Sequence, residues 1–122
     1  MAAMPEELIE INKYFSKYWT EAGHLLTKTL YEEATLDRKT IELILLGMLA
    51  VAKWRTGIEV HTQVALDHGA TPEEIRGALL LSIAVGSNSA ALPALHWAEP
   101  ILAKHEKKAR PKAKARAKAK AK

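Results

Sequence analysis

The chain has 122 residues, with 18 Lys/Arg against 14 Asp/Glu, 48% hydrophobic residues and no cysteine. That length accommodates one domain with a core of ordinary size, and the missing thiols exclude disulfides, zinc–thiolate sites and thiol redox chemistry by this chain alone. The formal charge of +4 joins two opposite parts: residues 104–122 hold ten Lys/Arg and one Glu, residues 1–103 hold eight and thirteen, so the tail carries about +9 and the body about −5.

No window alternates at period two with β-branched residues, whereas apolar residues recur every three or four positions. The body is therefore expected to be all-α, a compact bundle of about five or six helices. The first begins at Pro5 and turns a stripe of Leu8, Ile11, Phe15, Tyr18, Trp19 and Ala22 toward a core. Gly23 is placed to break or bend it, and a weaker helical stretch, HLLTKTLYEEA, ends near Thr35. Asp37 then caps a long helix, RKTIELILLGMLAVAKW. It is apolar nearly all round from Leu43 to Val51, and Gly47 lets another backbone come close, so it is expected at the centre.

Thr56-Gly57-Ile58-Glu59 matches a capping box opening the helix GIEVHTQVALDHG, which stops at Gly69. A second box, Thr71-Pro72-Glu73-Glu74, opens PEEIRGALLLSIAVG, again largely apolar from Ala78 to Val85. Two such helices are hard to cover within about 100 residues, so homo-oligomerisation is expected, as a trimer or hexamer. A last helix runs from about Ser89, with Pro93 near its start and Pro100 kinking it. The domain is expected to span 1–103 and the basic tail 104–122, disordered beyond Pro111 because its alternating cations and alanines bury nothing. The longest charge-free apolar run, Leu43 to Ala52, is far short of the roughly 18 residues of a membrane span, and the acidic N-terminus lacks a secretory pattern. A soluble cytoplasmic protein is expected.

Glu42 is the one acid inside the apolar third helix. A carboxyl taken out of water has its pKa raised unless a cation or donors compensate, which makes it a candidate proton carrier. His61 carries an imidazole that can give and take a proton, and it can partner Glu42 if the two helices pack antiparallel. The same spacing also fits a plain solvent edge shared by Glu42 and Lys53, with Trp54 in the core and Arg55 in solvent. His61 and His68 lack a third ligand, so no metal site is expected, and no cofactor either. His96, beside Trp97 and Glu99, is either a pocket residue or a helix-surface histidine. A phosphate-cradling glycine loop and a G-x-S-x-G motif are both absent.

Residues 36–86, above all HGATPEEIRGALL, resemble the carboxymuconolactone decarboxylase superfamily, which includes the alkylhydroperoxidase D-like proteins; a weaker likeness extends to about residue 103. In its redox members the motif is a glutamate, eleven residues, Cys-x-x-Cys, three residues and a histidine. Counting along this chain gives Glu42, Trp54, Gly57 and His61. The resemblance implies the alkylhydroperoxidase D-like fold, an oligomer, and proton handling by the outer pair Glu42 and His61, with both thiols gone. A thiol peroxidase is therefore disfavoured, and a lyase of the decarboxylase kind is preferred. That branch's usual glutamate four residues before the histidine is Gly57 here, while Glu59 stands two residues before it.

The expected activity is non-redox acid/base chemistry on a small carboxylated molecule, with Glu42 and His61 catalytic and Trp54, Arg55, Glu59 and His96 around the substrate. Arg55 is the expected partner of its carboxylate. The alternative is a non-catalytic family member in which Trp54 fills the reactive group's place. Its tail, through Lys112, Lys114, Arg116, Lys118, Lys120 and Lys122, then binds nucleic acid or another polyanion without sequence preference.

Overall fold

The computed structural model describes residues 6–120; in the first helix the side chains of residues 7, 8, 11, 12 and 14–19 are not part of that description. Most of the predicted stripe, Leu8, Ile11, Phe15, Tyr18 and Trp19, lies outside the described side chains. The order is α1 (Glu6–Lys28), a π-helical turn (Thr29–Glu33), α2 (Arg38–Ala52), α3 (Arg55–Asp67), α4 (Pro72–Leu81), α5 (Ile83–Gly86) and α6 (Asn88–Lys120). No strand occurs among the described residues. None of the described helices is long and apolar enough to cross a membrane.

Helix α2 packs on α3, α4 and α6 and is central, as its all-round apolar sequence predicts. Leu46, Ile58, Ile75, Leu79 and Leu102, from four helices, are completely buried. Alanines 90, 91, 94 and 98 form the buried side of α6, small enough to let that helix lie close to its neighbours. Gly47 serves the predicted close approach: a Cβ there would stand 3.4 Å from the Ala78 carbonyl oxygen of α4. Helix α1 runs through Gly23 without a break and continues directly into the π-helical turn.

The helix starts divide. Asp37 caps α2, accepting from the Thr40 N–H at 2.9 Å. Thr71 accepts from the Glu74 N–H at 3.1 Å while Glu74 accepts from the Thr71 N–H at 3.0 Å, a complete capping box with Pro72 behind it. The box predicted at Thr56 does not form. Lys53 takes a left-handed turn (φ 56°) and α3 starts one residue before Thr56, with Trp54 at the cap position and no side-chain cap bond. Thr56 is thus already inside the first turn and buried, and Glu59 pairs instead with Arg55.

Two further expectations change. The apolar stretch 72–86 is divided at Ser82, whose hydroxyl donates to the Leu79 carbonyl at 2.6 Å where α4 gives way to α5. The coil predicted beyond Pro111 is helix through Lys120, with every residue from Lys107 to Lys120 exposed. Alanine, lysine and arginine are all good helix formers, and Lys118 and Lys120 complement the negative end of the helix dipole.

Candidate functional site

Glu42 sits where α2 faces α3 and is completely buried. Three side chains hold its carboxylate. Tyr31 donates its hydroxyl to Oε1 at 2.7 Å, Arg38 donates Nε–H to the same oxygen at 3.0 Å, and His61 Nδ1 meets Oε2 at 2.5 Å. The Arg38 guanidinium also lies over the Tyr31 ring, 3.4 Å from its centre. The solvent-edge alternative for Glu42 is thereby excluded. Arg38 arrives from one turn earlier in α2, His61 from α3 and Tyr31 from the π-helical turn, so three separate elements converge on one carboxylate.

Burial by itself pushes the Glu42 carboxyl up, but the bonds from His61, Tyr31 and Arg38 and the positive charge nearby outweigh it, holding it below the usual carboxylate range. These donors are the compensation without which a buried carboxyl would have its pKa raised, and with them Glu42 is an anion at neutral pH. Burial, then the bond to Glu42, pushes the Tyr31 hydroxyl up to about 12, so this phenol remains a donor. An ionised carboxylate only accepts, which puts the Nδ1 proton of His61 on the side of Glu42 and leaves Nε2 with the lone pair when the ring is neutral. The His61 side chain is 24% exposed, so it is partly open to solvent.

The other predicted residues are not gathered there. Trp54 is half exposed and lies over Gly57, where an added Cβ would stand 2.7 Å from Trp54 Cε3 and 2.8 Å from Leu49 Cδ2. The two positions that match the family's thiols are thus an indole and the backbone it covers. Arg55 Nε binds Glu59 Oε1 at 2.6 Å on the surface, so neither side chain contacts the Glu42 cluster. His96 is exposed on α6, and its neighbour Glu99 is engaged by Arg76 at 2.6 Å. His68 ends α3 and bonds the Val64 carbonyl at 2.8 Å. Sequence reasoning missed Tyr31 and Arg38. The i, i+4 spacing of Arg38 and Glu42 was a usable signal, whereas nothing local connects Tyr31 to a carboxylate eleven positions on.

A separate apolar groove of about 730 Å³ lies between α2 and α4, lined by Leu43, Ile44, Met48, Val51, Leu81 and Val85 among others. None of the predicted site residues lines it. Ile44, two residues on from Glu42, lies about 200° round α2 from it, and Met48, six residues on, about 240°.

The sequence profile of the carboxymuconolactone decarboxylase family matches residues 15–100. Among solved structures, the chain is similar to a protein of Burkholderia xenovorans LB400 whose assignment as a carboxymuconolactone decarboxylase is itself provisional. That pair has 26% identity and a TM-score of 0.69, over 87% of this chain and 85% of that one. It also shares the fold of an apo-form carboxymuconolactone decarboxylase family protein from Legionella pneumophila, with 24% identity and a TM-score of 0.65, over 79% of this chain and 88% of that one. No curated protein matches. With a profile spanning most of the chain and the same fold in both solved structures, this cysteine-free helical protein belongs to the carboxymuconolactone decarboxylase family.

Proposed function

We propose that the chain performs non-redox acid/base chemistry on a small carboxylated molecule, with His61 as the proton-transfer group and Glu42 as the residue that orients it. The carrying observation is the contact between His61 Nδ1 and the completely buried Glu42 carboxylate, which its donors hold below the usual carboxylate range. Glu42 selects the tautomer in which Nε2 is the base and stabilises the imidazolium formed when Nε2 takes a proton. Arg38 replaces Arg55 as the residue for a substrate carboxylate. Only its Nε is used by Glu42, its side chain is 35% exposed, and it shares the anion that His61 contacts. The reaction class comes from family membership. The test is turnover of muconolactone-type acids by the parent, His61→Gln, Glu42→Gln and Arg38→Gln, beside a thiol-dependent peroxide assay. Loss of kcat with His61→Gln, loss of kcat with a displaced pH profile for Glu42→Gln, and a raised KM with Arg38→Gln are expected. A His61→Gln enzyme with the parent's rate would overturn the proposal.

A second reading has one specific observation in its favour: Trp54 covers Gly57, so the place that matches the reactive thiols is filled. On it the domain is non-catalytic and the basic tail supplies the activity by binding polyanions. Under either reading we propose a closed homo-oligomer assembled through the α2–α4 groove, where Met48, Leu81 and Val85 are 61%, 74% and 81% exposed.

A further inference from the structure

Leu102 is the last buried residue of α6. Beyond it the helix carries nine Lys/Arg as far as Lys120, and only His105 and Glu106 are even partly covered. Successive residues of a helix are about 100° apart, so cations at every second residue advance about 200° and fall alternately on opposite sides. Lys108, Lys112, Arg116 and Lys120 make one row at i, i+4 spacing. Lys107, Lys114 and Lys118, with Arg110 beside them, make a second row roughly 180° away. Alanines 113 and 117 occupy one gap between the rows, and alanines 115 and 119 the other.

We infer that this half of α6 is a duplex-DNA-binding helix that lies in the major groove with one row of cations against each phosphate wall. The inference rests on the polyanion reading of the tail and holds whether or not His61 is catalytic. A B-DNA major groove about 12 Å wide admits an α-helix and is walled by phosphates on both sides. The alanine gaps keep the floor-facing and solvent-facing sides thin. From Lys104 to Lys120 the helix is about 24 Å long and runs beside roughly 14 phosphate charges. Alanine offers bases no hydrogen bond, so binding is to the backbone and without sequence preference. No apolar face exists to enter a lipid interface, and no aromatic residue to stack on single strands. The net negative body, about −5 over residues 1–103, turns away from the duplex and confines contact to this segment.

Like charges at i, i+4 oppose the free helix. Phosphates on both flanks relieve that repulsion, so duplex DNA should raise helicity. The test uses the full chain in fluorescence anisotropy and circular dichroism with duplex DNA, single-stranded DNA of equal length, inorganic polyphosphate and phosphatidylserine vesicles across a salt series. One variant replaces Lys112, Lys114, Arg116, Lys118 and Lys120 by Gln; a second replaces Ala113, Ala115 and Ala117 by Gly, which keeps every charge and weakens a helix that already runs through Pro111. The parent is expected to prefer the duplex and to gain helicity on it. The five-Gln chain should bind at least about a hundredfold more weakly at low salt, with a salt slope smaller by about 4.5, and the three-Gly chain about tenfold more weakly. Duplex binding undiminished in the five-Gln chain would overturn the inference and the polyanion reading together. Parent-like duplex binding by the three-Gly chain, equal affinity for polyphosphate or single strands, or binding to vesicles alone would overturn the duplex inference while leaving an anion-binding tail.

Discussion

The two faces of α2 invert the usual rule of burial in opposite ways. On one, Glu42 is completely buried; on the other, Ile44 and Met48 are 48% and 61% exposed. The buried acid has three donors on its two oxygens, so its desolvation is answered within the chain. The exposed apolar residues that line the groove have no cover among the described residues. A departure from normal burial is thus explained by internal partners on one face, and on the other it is the observation behind the proposed homo-oligomer.

Removing the buried acid should have the largest effect on folding. Glu42→Ala is expected to cost about 2–4 kcal/mol in urea unfolding, because it leaves Arg38 and His61 without their shared anion; both reach solvent, which keeps the cost below that of a wholly buried pair. Ile44→Ala, two residues on but facing the groove, should cost under about 1 kcal/mol in a single chain. A reversal of that order would show that the polar cluster is incidental to the fold.

Acid should sharpen the contrast. The Glu42 carboxyl is held below its ordinary range, so its stabilisation is complete above the unfolded carboxylate pKa and is lost as pH falls through the depressed value. The stability gap between the parent and Glu42→Gln, measured by urea titration at several pH values, should therefore close on the acid side of the ordinary carboxylate range. Tyr31 has the opposite sign: with its hydroxyl pushed up from 10.0 to about 12, its contribution is intact below pH 10 and declines as pH rises toward 12. Tyr31→Phe should remove that alkaline loss. A gap independent of pH at both ends would break the proposed network.

Smaller effects separate the two T-x-x-E sequences. Thr71→Ala should cost about 1 kcal/mol by removing a working cap. Thr56→Val has no cap bond to lose and should change stability by less than about 0.5 kcal/mol. Smallest of all for the folding of one chain is Met48→Glu with Leu81→Lys in the open groove. That pair should nonetheless lower the mass measured by light scattering to that of a monomer. An unchanged oligomer would place the interface elsewhere, and a monomeric parent would remove it altogether.

Much of the fold was legible locally. The periodicity showed an all-helical chain, Asp37 and Thr71 marked helix starts that the structure contains, and the apolar run around Gly47 identified the central helix. The pairing of Glu42 with His61 was also legible, through motif spacing, and the structure brings the two together. The Thr56 box failed because the left-handed turn at Lys53 starts the helix two residues too early for Thr56 to stand outside it as the cap. Arg55 was expected to pair a substrate carboxylate, Glu59 to stand near His61, and His96 to share a pocket with Trp97 and Glu99; the structure pairs Arg55 with Glu59 and leaves His96 exposed on α6, because neighbours in sequence on a helix point in different directions.

What the sequence alone determined is what nearest neighbours decide: helical periods, two side-chain caps, the charge division near residue 104 and the cation at every second position of the tail. Only the tertiary structure decided that Glu42 stays ionised despite burial, because its donors come from positions 31, 38 and 61 and meet only when three elements pack. It also decided that the apolar groove lies on the opposite face of α2 from that cluster. A hydrogen bond within one turn is set by backbone geometry that every helix shares, whereas a contact across nineteen residues depends on how two helices approach, which is settled by the packing of the whole core.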